Sequence, residues 1–418
     1  MKRFALWFPL LPLIASTAWG DFVDDGSARY RQGDWDGAIT NFTQAIEQAP
    51  ASFVAYYDRG LAKKAKADFA GAIADYTKAI ELKPDHPNYY LNRGNAEAAK
   101  GDLDAAIADY NQAIELKADY ADAYLSRGGS RSTKGDTEGA LADYAIAIKL
   151  KPAFWRAYLY RANVECKSSG MIDNWEIPLV AAEAVDKMDA ALADYSQAIE
   201  INANLTEAYY YRGFIWFLKS RLDQGNADPA NSKSKSYLAA AAADFTKITE
   251  LEPTNANAFC FLGIIKRAQN DPAAGLADFN QAIQLDPHNL KALFNRGRAR
   301  LEQPDLDGAF ADFCQAKALN PGRNWVAQLN ASLSFIYCAH AKDKWLKDDA
   351  DGAFSDLNQA LELDPANAEA YHNRGLIEQH KRDLKNAVAD YSKSLELDPG
   401  NLALADTIKK LKKYLENH

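Results

Sequence analysis

The strongest constraint on this chain is a period of 34 residues. An aromatic residue following an acidic or amide residue stands at Phe42, Tyr76, Tyr110 and Tyr144, one period apart each time. The register resumes at Tyr195, Phe245, Phe279, Phe313, Leu357 and Tyr391, after longer intervals of 51, 50 and 44 residues to Tyr195, Phe245 and Leu357. Ten repeats result, at 21–52, 53–86, 87–120, 121–154, 155–205, 206–255, 256–289, 290–323, 324–367 and 368–401, with insertions expected inside the fifth, sixth and ninth. A unit this small cannot bury an apolar face by itself, so its stability must come from stacking on its neighbours.

The third repeat shows what each unit is. Tyr90, Ile107, Tyr110, Ala113 and Ile114 form apolar stripes at helical spacing, broken at Gly101-Asp102. Two helices therefore meet at that turn, and the small residues Gly94 and Ala106 allow their close approach. Second helices end at Lys83-Pro84, Lys151-Pro152, Glu252-Pro253, Asp286-Pro287, Asp364-Pro365 and Asp398-Pro399. Proline removes a backbone donor and bends the preceding residue away from the helical region.

The pattern Tyr90, Gly94, Ala106, Tyr110, Ala113, with proline at repeat ends, resembles the tetratricopeptide repeat family over residues 22 to 401. It is most similar to the variant with Arg-Gly in the first helix and Ala-x-x-Asp-Tyr in the second. The resemblance implies an all-α fold, a right-handed superhelical solenoid of about ten antiparallel hairpins. Residues 402–418 read as a capping helix, with Leu404, Ile408, Leu411 and Leu415 facing the last hairpin and Lys409, Lys410, Lys412 and Lys413 facing solvent. Two repeats depart from the pattern. Ala162 replaces the glycine of the fifth, while the ninth reads as Asn330-Ala331 for Arg-Gly and Leu357 for the aromatic.

Seven repeats pair an arginine before the small residue with an aspartate before the aromatic: Arg59/Asp75, Arg93/Asp109, Arg127/Asp143, Arg161/Asp194, Arg212/Asp244, Arg296/Asp312 and Arg374/Asp390. Their recurrence marks them as architecture, bridging helices within a repeat or from each aspartate to the next arginine. Leu262 and Asn330 leave Asp278 and Asp356 without the arginine partner.

The first twenty residues are of a different kind. Lys2 and Arg3 precede an apolar run from Phe4 to Ile14 and then small residues as far as Gly20, the layout of a signal peptide cleaved after Gly20. Pro9 and Pro12 interrupt a run already short for a bilayer crossing, and no integral membrane segment is expected after cleavage. An exported protein is predicted, periplasmic in a diderm bacterium and otherwise secreted. Cleavage leaves 46 basic against 57 acidic residues. That balance argues against a nucleic acid partner, since phosphate binding needs a cationic footprint. Cys166, Cys260, Cys314 and Cys338 are widely spaced; Cys314 and Cys338 fall on helices expected to be neighbours, as a pair or as buried thiols.

No catalytic motif appears. The histidines lack metal-ligand spacing, and there is no phosphate loop and no Gly-x-Ser-x-Gly turn, so no enzyme activity, metal or cofactor is expected. The resemblance implies instead that a protein or peptide lies against the first helices, which line the concave face in that family. The variable first-helix positions are then the candidates: Tyr57, Asn95, Arg156, Asn163, an aromatic group Tyr210, Phe214 and Phe217, and Phe294. A basic group, Arg267, Lys291 and Arg298, is placed to meet an acidic partner. Trp175 and Trp345 are the anchors offered by insertions, the second in a charged stretch, Ala339 to Asp351, expected to lengthen two helices. Residues 221–237 read as a loop. The carboxylate clamp of some family members is not reproduced, because Leu91 and Ser126 stand where its Lys and second Asn belong. Self-association through exposed edges or ends is the alternative, and an enzyme or small-molecule binder the third reading.

Overall fold

The structure is a computed structural model that describes residues 18–168, 182–224 and 233–417. All regular structure among these residues is α-helical. The chain divides into two compact units, Met1–Ala208 and Tyr209–His418. In the first, five hairpins follow in order: α1 (Ala18–Arg31) with α2 (Trp35–Gln48), α3 (Phe53–Ala65) with α4 (Phe69–Leu82), α5 (Pro87–Ala99) with α6 (Leu103–Leu116), α7 (Ala121–Lys134) with α8 (Thr137–Leu150), and α9 (Trp155–Ser168) with α10 (Ala182–Ile201). In the second they are α11 (Thr206–Gln224, from Tyr209 on) with α12 (Ser234–Leu251), α13 (Ala256–Ala268) with α14 (Pro272–Leu285), α15 (Leu290–Leu301) with α16 (Leu306–Ala318), α17 (Arg323–Leu346) with α18 (Ala350–Leu363), and α19 (Ala368–His380) with α20 (Leu384–Leu397). Helix α21 (Leu402–Glu416) follows.

Each hairpin closes through one small-to-large contact. A Cβ added to Gly94 would lie 2.8 Å from the Tyr110 ring, and Gly60, Gly128, Gly297 and Gly375 meet Tyr76, Tyr144, Phe313 and Tyr391 in the same way. Those rings are almost wholly buried. The turn between the helices is set by an aspartate N-cap: Asp34, Asp68, Asp102, Asp136, Asp271, Asp305, Asp349 and Asp383 each accept from the backbone N–H three residues on. The residue before the cap adopts a left-handed conformation, for which Gly33, Gly101 and Gly135 are suited; Ala67, Asn270, Asp348 and Arg382 take it at φ of 61° to 63°.

The ninth repeat corrects the sequence register. Ala331 is exposed, and the small residue of this hairpin is Ala341, buried and sixteen residues before Leu357, as Gly94 is before Tyr110. The extra residues lie at the start of the first helix rather than within the hairpin. Only α17 is lengthened, to 24 residues, while α18 keeps 14. The N-terminal half of α17 packs Leu329, Leu333 and Ile336 on Phe294 and Phe313 of the eighth repeat. Its C-terminal half packs Cys338 and Ala341 on Leu357 and Ala360.

Other expectations change at the margins. In α21, Leu404 and Ile408 are buried against Val388 and Tyr391, with Leu411 packed beside them, but Leu415 is 41% exposed. Residues 221–224 and 234–237, expected in a loop, continue α11 and α12. The four cysteines are free thiols, so Cys314 and Cys338 are not joined. The leader and Trp175 lie outside the described residues, save that α1 begins at Ala18.

Candidate functional site

The arginine ladder is structural, and five of its arginines serve two repeats. Arg93 donates from Nε and Nη2 to both oxygens of Asp109, at 2.7 Å each, and from Nη1 to Thr77 Oγ1 of the preceding repeat at 3.2 Å. Arg59 reaches Asp75 and Thr43, Arg127 Asp143 and Asn111, Arg296 Asp312 and Asn280, and Arg374 Asp390 and Asn358. The aspartate therefore pairs within its own repeat, while the link to the previous one runs through the residue after the aromatic. Asp278 and Asp356 are not orphaned: Lys266 and Lys344 bind them at 2.7 Å.

In the first unit the proposed contact residues are largely committed to one another. Tyr57 sets its ring at a tilt against Tyr76 and Tyr89 and accepts from Asn92 Nδ2 at 3.0 Å. Asn95 accepts from the Tyr110 hydroxyl, and Asn163 accepts from Tyr195 and donates to Glu207. Arg156 is exposed and lies over the Trp155 ring. Tyr57, Asn95 and Asn163 thus tie first helices to their neighbours.

In the second unit the aromatic group is an inter-repeat seam rather than an open surface. Phe217 is buried, and Tyr210 and Phe214 set their rings edge-on against Phe261 of the next repeat, at 5.5 and 6.0 Å. Phe294 is buried against Trp325 and Phe313. The basic group is partly neutralised: Arg267 donates to Glu302 at 3.0 Å and to Asn295 at 3.2 Å. Lys291 stands over the Phe261 ring and Arg298 over Phe294. Trp345 packs edge-on against His380 at 5.0 Å, sealing the end of α17.

What these contacts leave open is a recess of about 290 Å³ on the first-helix side of the second unit. Tyr210, Phe261, Leu290 and Trp325 form its apolar walls, and Asn257, Asp286, Asn289 and Lys291 its polar edge. Asn289 is fixed from both sides. Its Oδ1 caps α15 by accepting from Ala292 N–H at 3.0 Å, and its Nδ2 donates to Asn257 Oδ1 at 3.1 Å. Asn257 is exposed, so its amide is oriented with Nδ2 turned away from Asn289. Tyr210 and Lys291 were expected here. Asn257, Asp286, Asn289 and Trp325 were not: Asn257 lies in the first turn of α13, Asn289 is the N-cap of α15, and Trp325 reaches the recess through the lengthened α17.

The hairpins and ladder account for the matches to known proteins. Sequence profiles described as TPR repeat match residues 26–66, 65–98 and 94–129, and profiles described as tetratricopeptide repeat match 262–324 and 368–401. The chain carries tetratricopeptide repeats. The matches reach only Gly129 in the fourth repeat, and the fifth, the sixth and all but the first residue of the ninth fall outside them. Solved tetratricopeptide repeat structures are similar over part of the chain. A MamA protein is 23% identical over 46% of this chain and 95% of its own, with a TM-score of 0.37. YrrB, described as a TPR protein with an unusual peptide-binding site, is 23% identical over 52% and 95%, with a TM-score of 0.40. Pseudomonas aeruginosa PilF is 14% identical over 60% and 97%, with a TM-score of 0.45. No curated protein sequence matches. Among the described residues no group of His, Cys, Asp or Glu is arranged to hold a metal ion, and no helix is long and apolar enough to cross a membrane.

Proposed function

We propose that this repeat protein is a non-catalytic scaffold, exported from the cytoplasm, that binds an extended polypeptide along the first helices of its second unit. The observation that carries the reading is the recess beside Asn257. An amide held in one orientation offers a donor to a peptide carbonyl, and an aromatic-walled cavity beside it takes one side chain. The rigid packing of the walls means that little order has to be created on binding. Export rests on the leader-like first twenty residues.

The test is selection from a displayed random-peptide library, followed by affinity measurement on the folded parent and on an Asn257→Ala, Lys291→Ala variant. Both residues lie on the recess edge and not in the core, so the variant is expected to fold. Binding should weaken by roughly tenfold or more, the scale of one to two lost polar contacts. Equal affinity would remove the recess as the site. Export is tested separately: the protein purified from its native host should begin at Asp21, and an intact leader would refute cleavage.

A further inference from the structure

One helical turn after the ladder arginine position, eight of the ten repeats divide into two kinds, while the first, with Asn41 in place of the aspartate, and the sixth, with Trp216 at that step, stand outside both. Repeats two, four, seven, eight and nine place a cation there, and Lys63, Arg131, Lys266, Arg300 and Lys344 each bind the aspartate of their own second helix at 2.7 to 2.9 Å. Repeats three, five and ten place Glu97, Glu165 and Glu378 at the same step, against Asp109, Asp194 and Asp390. A carboxyl thus occupies the position where five other hairpins hold a positive charge.

The arginines relieve it only in part. Arg93 spends Nε and Nη2 on Asp109 and Nη1 on Thr77, and its nearest approach to Glu97 is 4.0 Å. Arg374 is spent in the same way on Asp390 and Asn358, and Arg161 directs Nε and Nη2 to Asp194. In all three glutamates Oε2 is buried with no donor from the described residues. Two ionised carboxyls only accept, so neither can bond the other; a single proton turns one of them into a donor.

The charged groups facing Glu97 are Asp109 and Asp102 of α6 and Arg93 of its own helix. Those facing Glu165 are Asp194 of α10 and Arg161, and those facing Glu378 are Asp390 and Asp383 of α20 and Arg374. We propose that each of these three hairpins holds a proton in its Glu–Asp pair and sheds it as the medium turns alkaline, so that repeats three, five and ten are reinforced by acid. The donor is the glutamic acid O–H and the acceptor the aspartate carboxylate, with the proton exchanged with solvent. Burial, aided by the neighbouring aspartate, pushes each glutamate up to about 7 from an ordinary 4.5.

The sign follows from linkage. The folded state binds more protons than the unfolded one between about pH 4.5 and about 7, so stability from these groups is complete below that window and is lost as pH rises through it. Asp58, half-buried and pushed up to about 6 by burial, titrates in the same window but is no member of the set, so a comparison that keeps it constant isolates the three glutamates.

Two measurements test the proposal on the full chain. Side-chain carboxyl carbons of glutamate, labelled with ¹³C, are followed by NMR from about pH 4 to about pH 9. Three resonances should titrate near neutrality and be missing from the E97Q/E165Q/E378Q variant. If every glutamate of the parent finishes titrating in the ordinary carboxyl range, the proposal fails, whatever the variant does. Thermal unfolding then compares parent and variant from about pH 5.5 to about pH 8, where the parent should lose melting temperature relative to the variant. Parallel loss in both would place the pH dependence elsewhere and overturn the device.

Discussion

At the residue scale the ladder makes a graded prediction. Arg93 is the cation that binds Asp109, whereas Asp143 is bound by both Arg127 and Arg131. Removing one partner of a buried pair leaves an uncompensated charge and costs about 3 kcal/mol or more. Arg93→Met should therefore destabilise by about that amount, and Arg127→Met by distinctly less, because Arg131 stays on the carboxylate. Urea unfolding of the two variants checks this, and equal losses would mean that the second cation contributes nothing. The turn before α4 offers a gain. Ala67 sits at φ 61°, where a Cβ costs roughly 1–2 kcal/mol and a glycine does not. Allowing for the entropy glycine returns to the unfolded chain, Ala67→Gly is expected to stabilise by about 0.5 kcal/mol. A loss in the same unfolding assay would show that the turn is not strained.

At the scale of elements, α21 shows how an amphipathic end helix terminates a stack. Its buried residues cover Val388 and Tyr391 of the tenth repeat, and Leu402, 78% exposed, covers nothing. Leu404→Ala should then cost about 2–4 kcal/mol, and Leu402→Ala should stay within about 0.5 kcal/mol of the parent. Comparable losses from both would show that α21 does not dock through this face. The lengthened α17 is the other instructive element. From the sequence its small residue was placed at Ala331 and the stretch Ala339 to Asp351 was expected to lengthen two helices, yet His340-Ala341 offers a small residue after a polar one just as Asn330-Ala331 does. The choice was made by packing: Leu329, Leu333 and Ile336 find Phe313 on the preceding repeat, which slides the hairpin contact ten residues along to Ala341.

For the whole molecule, the consequence of stacking is that stability is a sum of repeats and nearest-neighbour contacts. A core lesion should open its own surroundings and leave distant hairpins protected. Tyr110→Ala removes a buried ring packed on Gly94 and on Ala123 of the next repeat. Hydrogen exchange should quicken through the third repeat and its immediate neighbours, with protection in repeats seven to ten unchanged. Uniform loss of protection across the chain would instead make the ten repeats a single cooperative unit.

The sequence by itself determined the repeat, the helix pairs, the small-to-aromatic closure and the terminal helix, because each follows from spacing along one chain and recurs often enough to be read against itself. It also named the arginines and aspartates of the ladder, though not their pairing, which depends on which oxygen lies within reach of each guanidinium. The site was less legible. Tyr210 and Phe214 looked like an open aromatic face because nothing in α11 shows that Phe261, half a hundred residues on, will lie across them. Asn257 lies in the first turn of α13 and Asn289 caps α15, and only the stacking of α13 on α15 turns the second into a support for the first. The same holds for Glu97, Glu165 and Glu378. Their places in the repeat are plain in the sequence, but the absence of a donor is a property of the space between two helices. Position along a helix is encoded locally; company is decided by the fold, because burial and hydrogen-bond reach are distances between segments that the chain brings together only on packing.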